Sequence, residues 1–473
     1  MHATMRKTRT GTMILTIVAT LLAACGDSLT AGIQGTGSPA PAAVAGPVTG
    51  FGSVFVNGVE YGTAGAQILI DGQPGTEALL QTGQVVFIRG TVNAAGTTGT
   101  ATRLTFDGDV QGPITQLDLI ANTCVVLGQK VRITASTVLD AAIQPADLTG
   151  LQAGTMVEVS GFSDASGAIV ASRLDVKPAG STLQIKGVLQ GLDTAGRTFQ
   201  INGFAVDYAS ATVVGSLVDG ATVEVQGATV GLSGALVARH VEVLPGLGTA
   251  VNEHADIDGI ITTFTSTSDF VVQGEHVTTD ANTQFVLHGM SLAANIQVDV
   301  QGQFNAAGAI QAKKVETRQR SVSFVRGPVG SIAASPGTLS IFGVTLVTSA
   351  STELDDRSNQ HIRQFRLTDV RVGDYVEVDG AESPPGTLEA SVLERKNTSP
   401  TSYLQGVAGN VAQPSFTILG VTVTTTSQTR FAGPGGAASG AATFFSQAAN
   451  HVVKVSGVFS SGVFTAAEVQ IEQ

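Results

Sequence analysis

The segment Glu253-His254-Ala255-Asp256-Ile257-Asp258-Gly259 concentrates side chains that bind metal ions. Alternate residues of a β-strand share one face, so carboxylates at this spacing could face one cation, and oxygen ligands suit a hard ion such as Ca²⁺. The segment lacks the downstream bidentate acid of a calcium-binding loop. It also precedes a repeat, where a hydrophilic linker is expected. Glu253, His254, Asp256 and Asp258 are therefore either a metal site or a linker.

A second chemical candidate is a charged insertion at residues 351–370, which is the only strongly charged stretch of the chain. Its polar side chains include Asp355, Asp356, Arg357, His361 and Arg363. Loops held on a rigid scaffold often carry binding or catalytic residues. The insertion predicts either a short solvated helix across the end of a domain or a partner-binding loop.

Motifs of established enzyme classes are missing from the sequence. It has no Gly-x-Ser-x-Gly elbow, P-loop, His-Glu-x-x-His or Cys-x-x-Cys. No two histidines share a position in the repeats described below, so no histidine site recurs. We therefore predict neither enzymatic activity nor a cofactor.

The elements that must position these residues are six related hairpins, of which Phe199-Gln200-Ile201-Asn202-Gly203-Phe204-Ala205-Val206 is the clearest. Asn-Gly between alternating apolar runs is a strong signal for a two-residue turn. Such a turn places Ile201 opposite Phe204 and Phe199 opposite Val206, all on one buried face. Related tips lie at residues 57–58, 127–128, 273–274, 342–343 and 419–420. Leucine or phenylalanine before the glycine fits a doubly left-handed turn poorly, so those three tips predict another turn type.

Three further landmarks accompany each hairpin. A Gly-x-Val/Ile start precedes it, and a Thr-x-Phe/Leu/Val strand follows it except in the first copy, where this strand is blurred. Then a glycine or asparagine comes seven residues before a second glycine, as at Gly154/Gly161 and Asn295/Gly302. Asparagine tolerates left-handed backbone best after glycine, so we expect one shared conformation. The strands between, such as Val157-Glu158-Val159 and Val298-Asp299-Val300, predict apolar residues inside and acids outside.

These landmarks predict an all-β fold, a tandem array of six small OB-like five-stranded barrels. An SH3-like barrel or a small sandwich remains possible because strand count does not fix topology. The repeats are at residues 46–108, 109–182, 183–252, 253–320, 321–400 and 401–473. Each has enough strands to close its own core, yet units this small are marginal alone, so we expect neighbours to pack.

The N-terminus predicts export. Residues 1–24 combine a basic start with a short apolar run, and Leu22-Ala23-Ala24-Cys25 resembles a bacterial lipobox, which makes Cys25 the lipidated residue. In the enterobacterial sorting pattern that this segment resembles, an aspartate after the cysteine favours the inner membrane, so Gly26 implies the outer membrane of a Gram-negative bacterium. Residues 25–45 are rich in Gly, Ser, Thr, Ala and Pro and predict a flexible tether. Cys124 then has no partner for a disulfide, and we expect it to be buried.

Charge excludes a nucleic-acid partner. The chain has 25 basic and 37 acidic residues, and removal of residues 1–24 takes three basic residues, so the mature charge is 22 − 37 = −15. Such a surface repels phosphate backbones. Sugar-binding sites usually present aromatic platforms, for which four tyrosines and no tryptophan give little support.

The lipobox, the tether and Gly50-Phe51-Gly52-Ser53-Val54-Phe55-Val56-Asn57-Gly58-Val59 together resemble the repeated domain of unknown function 5666 of predicted bacterial lipoproteins. The resemblance spans nearly the whole mature chain and supplies no catalytic or ligand residues. We therefore expect a non-catalytic, lipid-anchored envelope protein that acts as a spacer or binding scaffold, with the membrane as one partner and envelope proteins or surface polysaccharide as others. A carbohydrate- or polymer-binding module is the alternative, and an envelope hydrolase that uses the charged insertion is a third.

Overall fold

The computed structural model describes residues 39–119, 121–134, 136–144, 147–248, 250–287, 290–318, 323–333, 337–350, 352–382, 384–433 and 438–471. The predicted signal peptide, Cys25 and most of the predicted tether lie outside these residues. The strands of the first repeat are β1 (Ala40–Phe51), β2 (Val54–Val56), β3 (Val59–Gly62), β4 (Gln67–Ile70), β5 (Gln73–Pro74), β6 (Val85–Val92) and β7 (Thr98–Phe106). Those of the second are β8 (Val110–Asp118), β9 (Thr123–Val126), β10 (Gln129–Arg132), β11 (Val138–Leu139), β12 (Met156–Ser163) and β13 (Ile169–Val176).

The third and fourth repeats follow the same pattern. The strands of the third are β14 (Leu183–Asp193), β15 (Thr198–Ile201), β16 (Phe204–Asp207), β17 (Thr212–Val214), β18 (Thr222–Val230) and β19 (Leu236–Val243). Those of the fourth are β20 (His254–Ser266), β21 (Asp269–Val272), β22 (Glu275–Thr278), β23 (Gln284–Val286), β24 (Gln297–Phe304) and β25 (Ile310–Thr317).

In the last two repeats the first strand is interrupted. The strands of the fifth are β26 (Ser323–Pro328), β27 (Ser331–Ala333), β28 (Thr338–Ile341), β29 (Val344–Val347), β30 (Glu353–Asp356), β31 (Tyr375–Glu382) and β32 (Thr387–Lys396). Those of the sixth are β33 (Ser402–Val407), β34 (Gly409–Ala412), β35 (Ser415–Ile418), β36 (Val421–Thr424), β37 (Arg430–Ala432), β38 (Ala438–Ser439), β39 (Val452–Ser460) and β40 (Val463–Ile471). Helix α1 is Ala441–Gln447, and 3₁₀ turns lie at Glu77–Leu79, Leu148–Gly150 and Leu367–Asp369.

Each repeat closes into a barrel. In the second, β8 pairs with β9, β9 with β10, β10 with β13, β13 with β12, and β12 again with β8. Only the β10–β13 contact in this circuit is parallel. A sheet that closes on itself encloses one core and leaves no long free edge. The predicted OB-like barrel is therefore confirmed over a sandwich of separate sheets.

The predicted hairpin registers are confirmed. Ile201 pairs with Phe204 and Phe199 with Val206, and the other copies keep the equivalent pairs. These residues are almost all buried and form the barrel interiors. The two-residue tip sets the register, so one recognised dipeptide per repeat positions two strands.

The predicted change of turn type at the apolar tips is wrong. Phe342 and Gly343 have φ of 56° and 87°, and Leu127 and Leu419 are also left-handed. The left-handed region costs a non-glycine residue about 1–2 kcal/mol. Packing offsets this cost, because the Phe342 ring lies over Gly327, where a Cβ atom would be only 2.1 Å from the ring. Phe342 also packs against Phe459, with the rings tilted by 40° and their centroids 4.8 Å apart. Position 327, at the start of the fifth barrel, is therefore a glycine because the Phe342 ring fills the space that a side chain would need.

The paired-glycine landmark has two physical causes. Its first position has φ between 62° and 92° in all six copies, including Asn295 and Asn450, which confirms one shared conformation. Its second position is a β-bulge, as at Gly161, where the register shifts and a Cβ atom would lie 2.2 Å from the Val170 carbonyl oxygen. The threonine landmark is also structural, because Thr137 Oγ1 donates a buried 2.7 Å hydrogen bond to the Ala171 carbonyl. Thr212, its predicted counterpart in the third repeat, is instead exposed.

The barrels are joined in pairs by backbone hydrogen bonds. Strand β1 runs parallel to β20, β8 antiparallel to β14, and β26 antiparallel to β33. The second and third barrels share one continuous apolar cluster, as do the fifth and sixth, so these four barrels do not close separate cores as expected. Residues 37–473 form one compact unit.

The pairing of strand β1 shows that the tether ends earlier in the sequence than predicted. The tether was predicted to reach Ala45, but β1 begins at Ala40. Residues Ala42 to Ala45 are buried because β1 pairs with β6 on one edge and with β20 on the other. Small side chains, which resembled a linker in the sequence, allow this close packing of barrels.

The acids of the inner strands were predicted to point outward from the barrel cores, and in the structure they are also buried. Glu158 and Asp299 are each only 2% exposed. They do point away from their own barrel cores, but neighbouring barrels cover the surface they reach. Lys177 Nζ pairs with Glu158 Oε2 at 2.7 Å, and Arg318 Nη2 with Asp299 Oδ2 at 3.1 Å. Each of these two ion pairs joins residues of one barrel and lies outside its apolar core.

Candidate functional site

The predicted metal-or-linker segment is the start of β20, a strand in the interior of the molecule. His254, Asp256 and Ile257 pair with β1, and the same residues pair with β24 on the other side. Asp256 and Asp258 are 1% and 5% exposed. The linker interpretation of this segment is therefore wrong, because both edges of the strand are occupied.

Asp256 is held by a hairpin tip from another barrel. Asn57 Nδ2 donates to Asp256 Oδ1 at 2.8 Å and also to the Ala45 carbonyl at 3.0 Å. Burial, together with the nearby charge of Asp299, raises the pKa of Asp256 well above its usual range, although the Asn57 hydrogen bond opposes this shift. A donor amide at this place lets a buried carboxyl group keep one strong partner.

Arg318 lies between two acids of the fourth barrel. Its Nε is 3.4 Å from Asp258 Oδ2, and its Nη2 is 3.1 Å from Asp299 Oδ2. Gln297 Nε2 donates to Asp258 at 2.9 Å. Burial raises the pKa of Asp299 to about 6 against the opposing effect of Arg318. The Arg318 guanidinium group thus forms ion pairs with two buried carboxyl groups.

The other members of the predicted metal set have separate partners. Glu253 Oε1 pairs with Arg89 Nη1 of the first barrel at 3.3 Å. Burial, and secondarily Lys313, lowers the pKa of His254, which favours its neutral form. Among the described residues, no three His, Cys, Asp or Glu side chains converge in a way that could hold a metal ion.

A cavity of about 370 Å³ lies where the first, second, fourth and fifth barrels meet. Its charged lining consists of Asp258, Glu316, Arg318, Glu353 and Glu389. Glu353, from β30, is 8% exposed, and its Oε2 has no hydrogen-bond partner within the described part of the chain. Burial and the charges of Asp258, Asp355 and Glu394 raise the pKa of Glu353 well above its usual range.

The charged insertion is not a solvated helix. It begins with β30, which pairs in parallel with β32, and it ends in the 3₁₀ turn at Leu367–Asp369. Asp356 accepts hydrogen bonds from Arg395 Nε at 3.0 Å and Nη2 at 2.5 Å. Phe365, which lies between Asp356 and Arg395 in the sequence, is only 1% exposed. The insertion is polar in sequence because it buries ion pairs, which the charge pattern alone could not distinguish from solvation.

The insertion also contacts the first barrel. The Arg363 guanidinium lies 4.1 Å from the centroid of the Phe51 ring and donates to the backbone oxygens of Glu77 and Leu80. Arg357 pairs with Glu394 at 3.3 Å and lies 3.8 Å from Asp355. His361 is exposed. The structure thus gives Asp355, Asp356, Arg357 and Arg363 intramolecular partners.

Sequence reasoning missed Asn57, Arg318 and Glu353 as members of one interior site. Asn57 was recognised only as a turn residue, and Glu353 only as the start of a charged stretch. Cys124 is buried as predicted, at 1% exposure, and burial raises the pKa of its thiol to about 12. In the described part of the chain, no helix is long and apolar enough to cross a membrane.

Closed five-stranded barrels in tandem, joined by their first strands, define an all-β repeat protein. The chain belongs to the family described as Domain of unknown function (DUF5666), whose model matches residues 111–175, 186–242, 258–316, 326–394 and 405–470. These matches cover the second to sixth barrels. The first barrel is recognised from its strand pairing, which follows the same pattern. The predicted family is therefore confirmed.

The other comparisons add little. No curated protein matches the sequence. The solved structure "drosophila Unr CSD456" aligns with 41% of this chain and 88% of its own chain at 14% identity. Its TM-score of 0.11 is too low to establish a shared fold.

Proposed function

We propose that the protein is a non-catalytic, lipid-anchored scaffold of the bacterial cell envelope, whose barrels form a rigid body on a short tether. The β1–β20 pairing is the observation that carries this proposal. It joins strands more than 200 residues apart in sequence, from Ala42↔His254 to Ala45↔Ile257. Flexible single-domain modules would not need such a contact.

The side chains between barrels support rigidity. The Asn57–Asp256 hydrogen bond and the Arg363–Phe51 contact each tie the first barrel to a later one. Buried hydrogen bonds to charged groups contribute about 1.5–3 kcal/mol each. Several such contacts, added to backbone pairing, favour one fixed arrangement over independent barrels.

Rigidity can be measured with paired spin labels. Ala95 in the first barrel and Ser268 in the fourth are both exposed, and Cys124 is buried, so Ala95→Cys and Ser268→Cys would be the labelled positions, because a lipidated Cys25 has no free thiol. Pulsed electron paramagnetic resonance should give one narrow distance distribution. A broad distribution, similar to that of a denatured control, would contradict the rigid scaffold.

The envelope location rests on Cys25 and Gly26, and we place the anchor in the outer membrane of a Gram-negative cell. Cells fed a labelled fatty acid should label the wild-type chain and not Cys25→Ser, and the variant should leave the membrane fraction. Equal labelling of both chains would reject lipid anchoring without bearing on the rigidity of the barrels. Envelope proteins or surface polysaccharide are the proposed partners.

A further inference from the structure

The cavity between the barrels has a charge imbalance that the surrounding cations do not correct. Of its acids, Asp258 pairs with Arg318 at 3.4 Å, and Glu316 pairs with Lys314 at 2.6 Å. Glu353 and Glu389 have no Lys or Arg within ion-pair distance among the described residues. Two acidic side chains of the lining therefore have no ion-pair partner among the described residues.

Glu353 and Glu389 occupy different depths of the cavity. Glu353 is 8% exposed and its Oε2 lacks a hydrogen-bond partner among the described residues, whereas Glu389 is exposed. A buried polar side chain without a partner costs free energy unless a ligand or proton satisfies it. The exposed position of Glu389 gives a ligand access to the cavity from solvent.

Part of the remaining lining is apolar and suits an aliphatic chain, and the other part carries hydroxyl and amide side chains. Val347, Ala381, Ala390 and Val392 also border the cavity. No three acidic or histidine side chains of the described residues converge as metal ligands, so a bare metal ion fits poorly. Small-molecule sites combine apolar walls with a few placed polar groups, and a volume of about 370 Å³ is within their usual range.

We propose that this cavity binds a linear aliphatic diamine, with one ammonium group at Glu353, the other at Glu389, and the methylene chain against the apolar wall. The ammonium groups donate hydrogen bonds to carboxylate oxygens. This goes beyond the scaffold function, because the body would respond to a small cation in its surroundings.

The test is calorimetric titration of the full chain in detergent with 1,4-diaminobutane and 1,5-diaminopentane. Butylamine and MgCl₂ serve as comparison ligands. We expect one diamine per chain, bound more than about tenfold more tightly than butylamine, because the second ion pair is lost with the monoamine. Diamine binding no tighter than that of butylamine, or stronger binding of Mg²⁺ at the same site, would overturn the proposal.

Variants locate the binding. Glu353→Gln and Glu389→Gln should each weaken diamine binding by more than about tenfold, whereas Glu242→Gln, a partly exposed acid of the third barrel, should not change it. If Glu353→Gln fails to fold, Glu389→Gln decides, since its side chain is at the surface. Unchanged affinity in Glu389→Gln would reject the site. The purified chain is used, so the outcome does not depend on membrane anchoring.

Discussion

Asn57 Nδ2 donates a 2.8 Å hydrogen bond to Asp256 Oδ1, joining a hairpin tip of the first barrel to the first strand of the fourth. Both side chains are buried, at 7% and 1% exposure. The bond lies beside the parallel β1–β20 contact, so side chains and backbone fix the same interface.

Replacement of Asn57 by alanine should destabilise the protein by about 2–4 kcal/mol, because it leaves a buried carboxyl group without its donor. Denaturant unfolding measures this. Asn122→Ala is the matched control, since Asn122 is also a left-handed turn residue, with φ of 50° as for Asn57, but it is exposed. Equal losses in the two variants would show that only the turn matters.

The Arg395–Asp356 pair should be worth far more than a surface pair. Arg395→Met should cost about 3–5 kcal/mol, because it leaves Asp356 charged in the interior. The control is Arg430→Met, which breaks a 2.7 Å pair with Glu468 whose arginine side chain is 76% exposed, and should cost less than about 1 kcal/mol. Thermal unfolding of both variants at neutral pH compares them directly.

Acid should weaken the same pair. Burial disfavours the Asp356 carboxylate, but hydrogen bonds from Arg395 and Ser358 outweigh burial and lower its pKa to about 2 from the ordinary 3.8. A lowered folded-state pKa gives stability that is present above the unfolded value and lost as pH falls from about 4 to 2. Arg395→Met should therefore flatten the acid limb of the stability curve, and an unchanged acid limb would contradict this assignment.

Ionisation of Glu224 should have the opposite effect, because it should lower the free energy of unfolding as pH rises. Burial, and then the charge of Asp107, raises its pKa to about 7 from 4.5. A raised folded-state pKa means that stability is fully present below pH 4.5 and is lost as pH rises through 7. Glu224→Gln should therefore be about 3 kcal/mol more stable than wild type at pH 8 and similar at pH 4. Denaturant titrations at the two pH values measure this, and equal stability of Glu224→Gln and wild type at pH 8 would contradict it.

The bulge glycines should resist substitution. At Gly161 an added methyl group would meet the Val170 carbonyl oxygen at 2.2 Å, so Gly161→Ala should cost about 1–3 kcal/mol. Gly440, with φ of −99° and no atom within 4 Å of an added Cβ, is the control and should change stability by less than about 1 kcal/mol. Similar effects at both glycines would mean that the bulge tolerates a side chain.

Local features were predictable from the sequence because short-range geometry determines them. A two-residue tip sets the register of Phe199 against Val206, and the left-handed conformation explains why Asn295 replaces glycine. The burial of Cys124 followed from its place in the repeat. The strand count favoured a small barrel, but only the strand pairings of the structure settled its closure.

Contacts between barrels were not predictable, because they join distant parts of the chain. Glu158 and Asp299 lie on alternating strands that normally indicate a solvated face, and only the neighbouring barrels make that face interior. Likewise, Asn57 and Asp256 are 199 residues apart, and neither residue type reveals the other. The polar segment at Glu253 resembled a linker because its carboxyl groups gave no sign of their buried partners.

The central claim is that the barrels form one cooperative body, and hydrogen exchange of the full chain tests it most directly. Amides of β1 and β20 should open with the same free energy, and Asn57→Ala should lower protection in both strands equally, despite their separation in sequence. If Asn57→Ala lowers protection only in the first barrel while β20 keeps its wild-type exchange, the barrels are independent units and the account is contradicted.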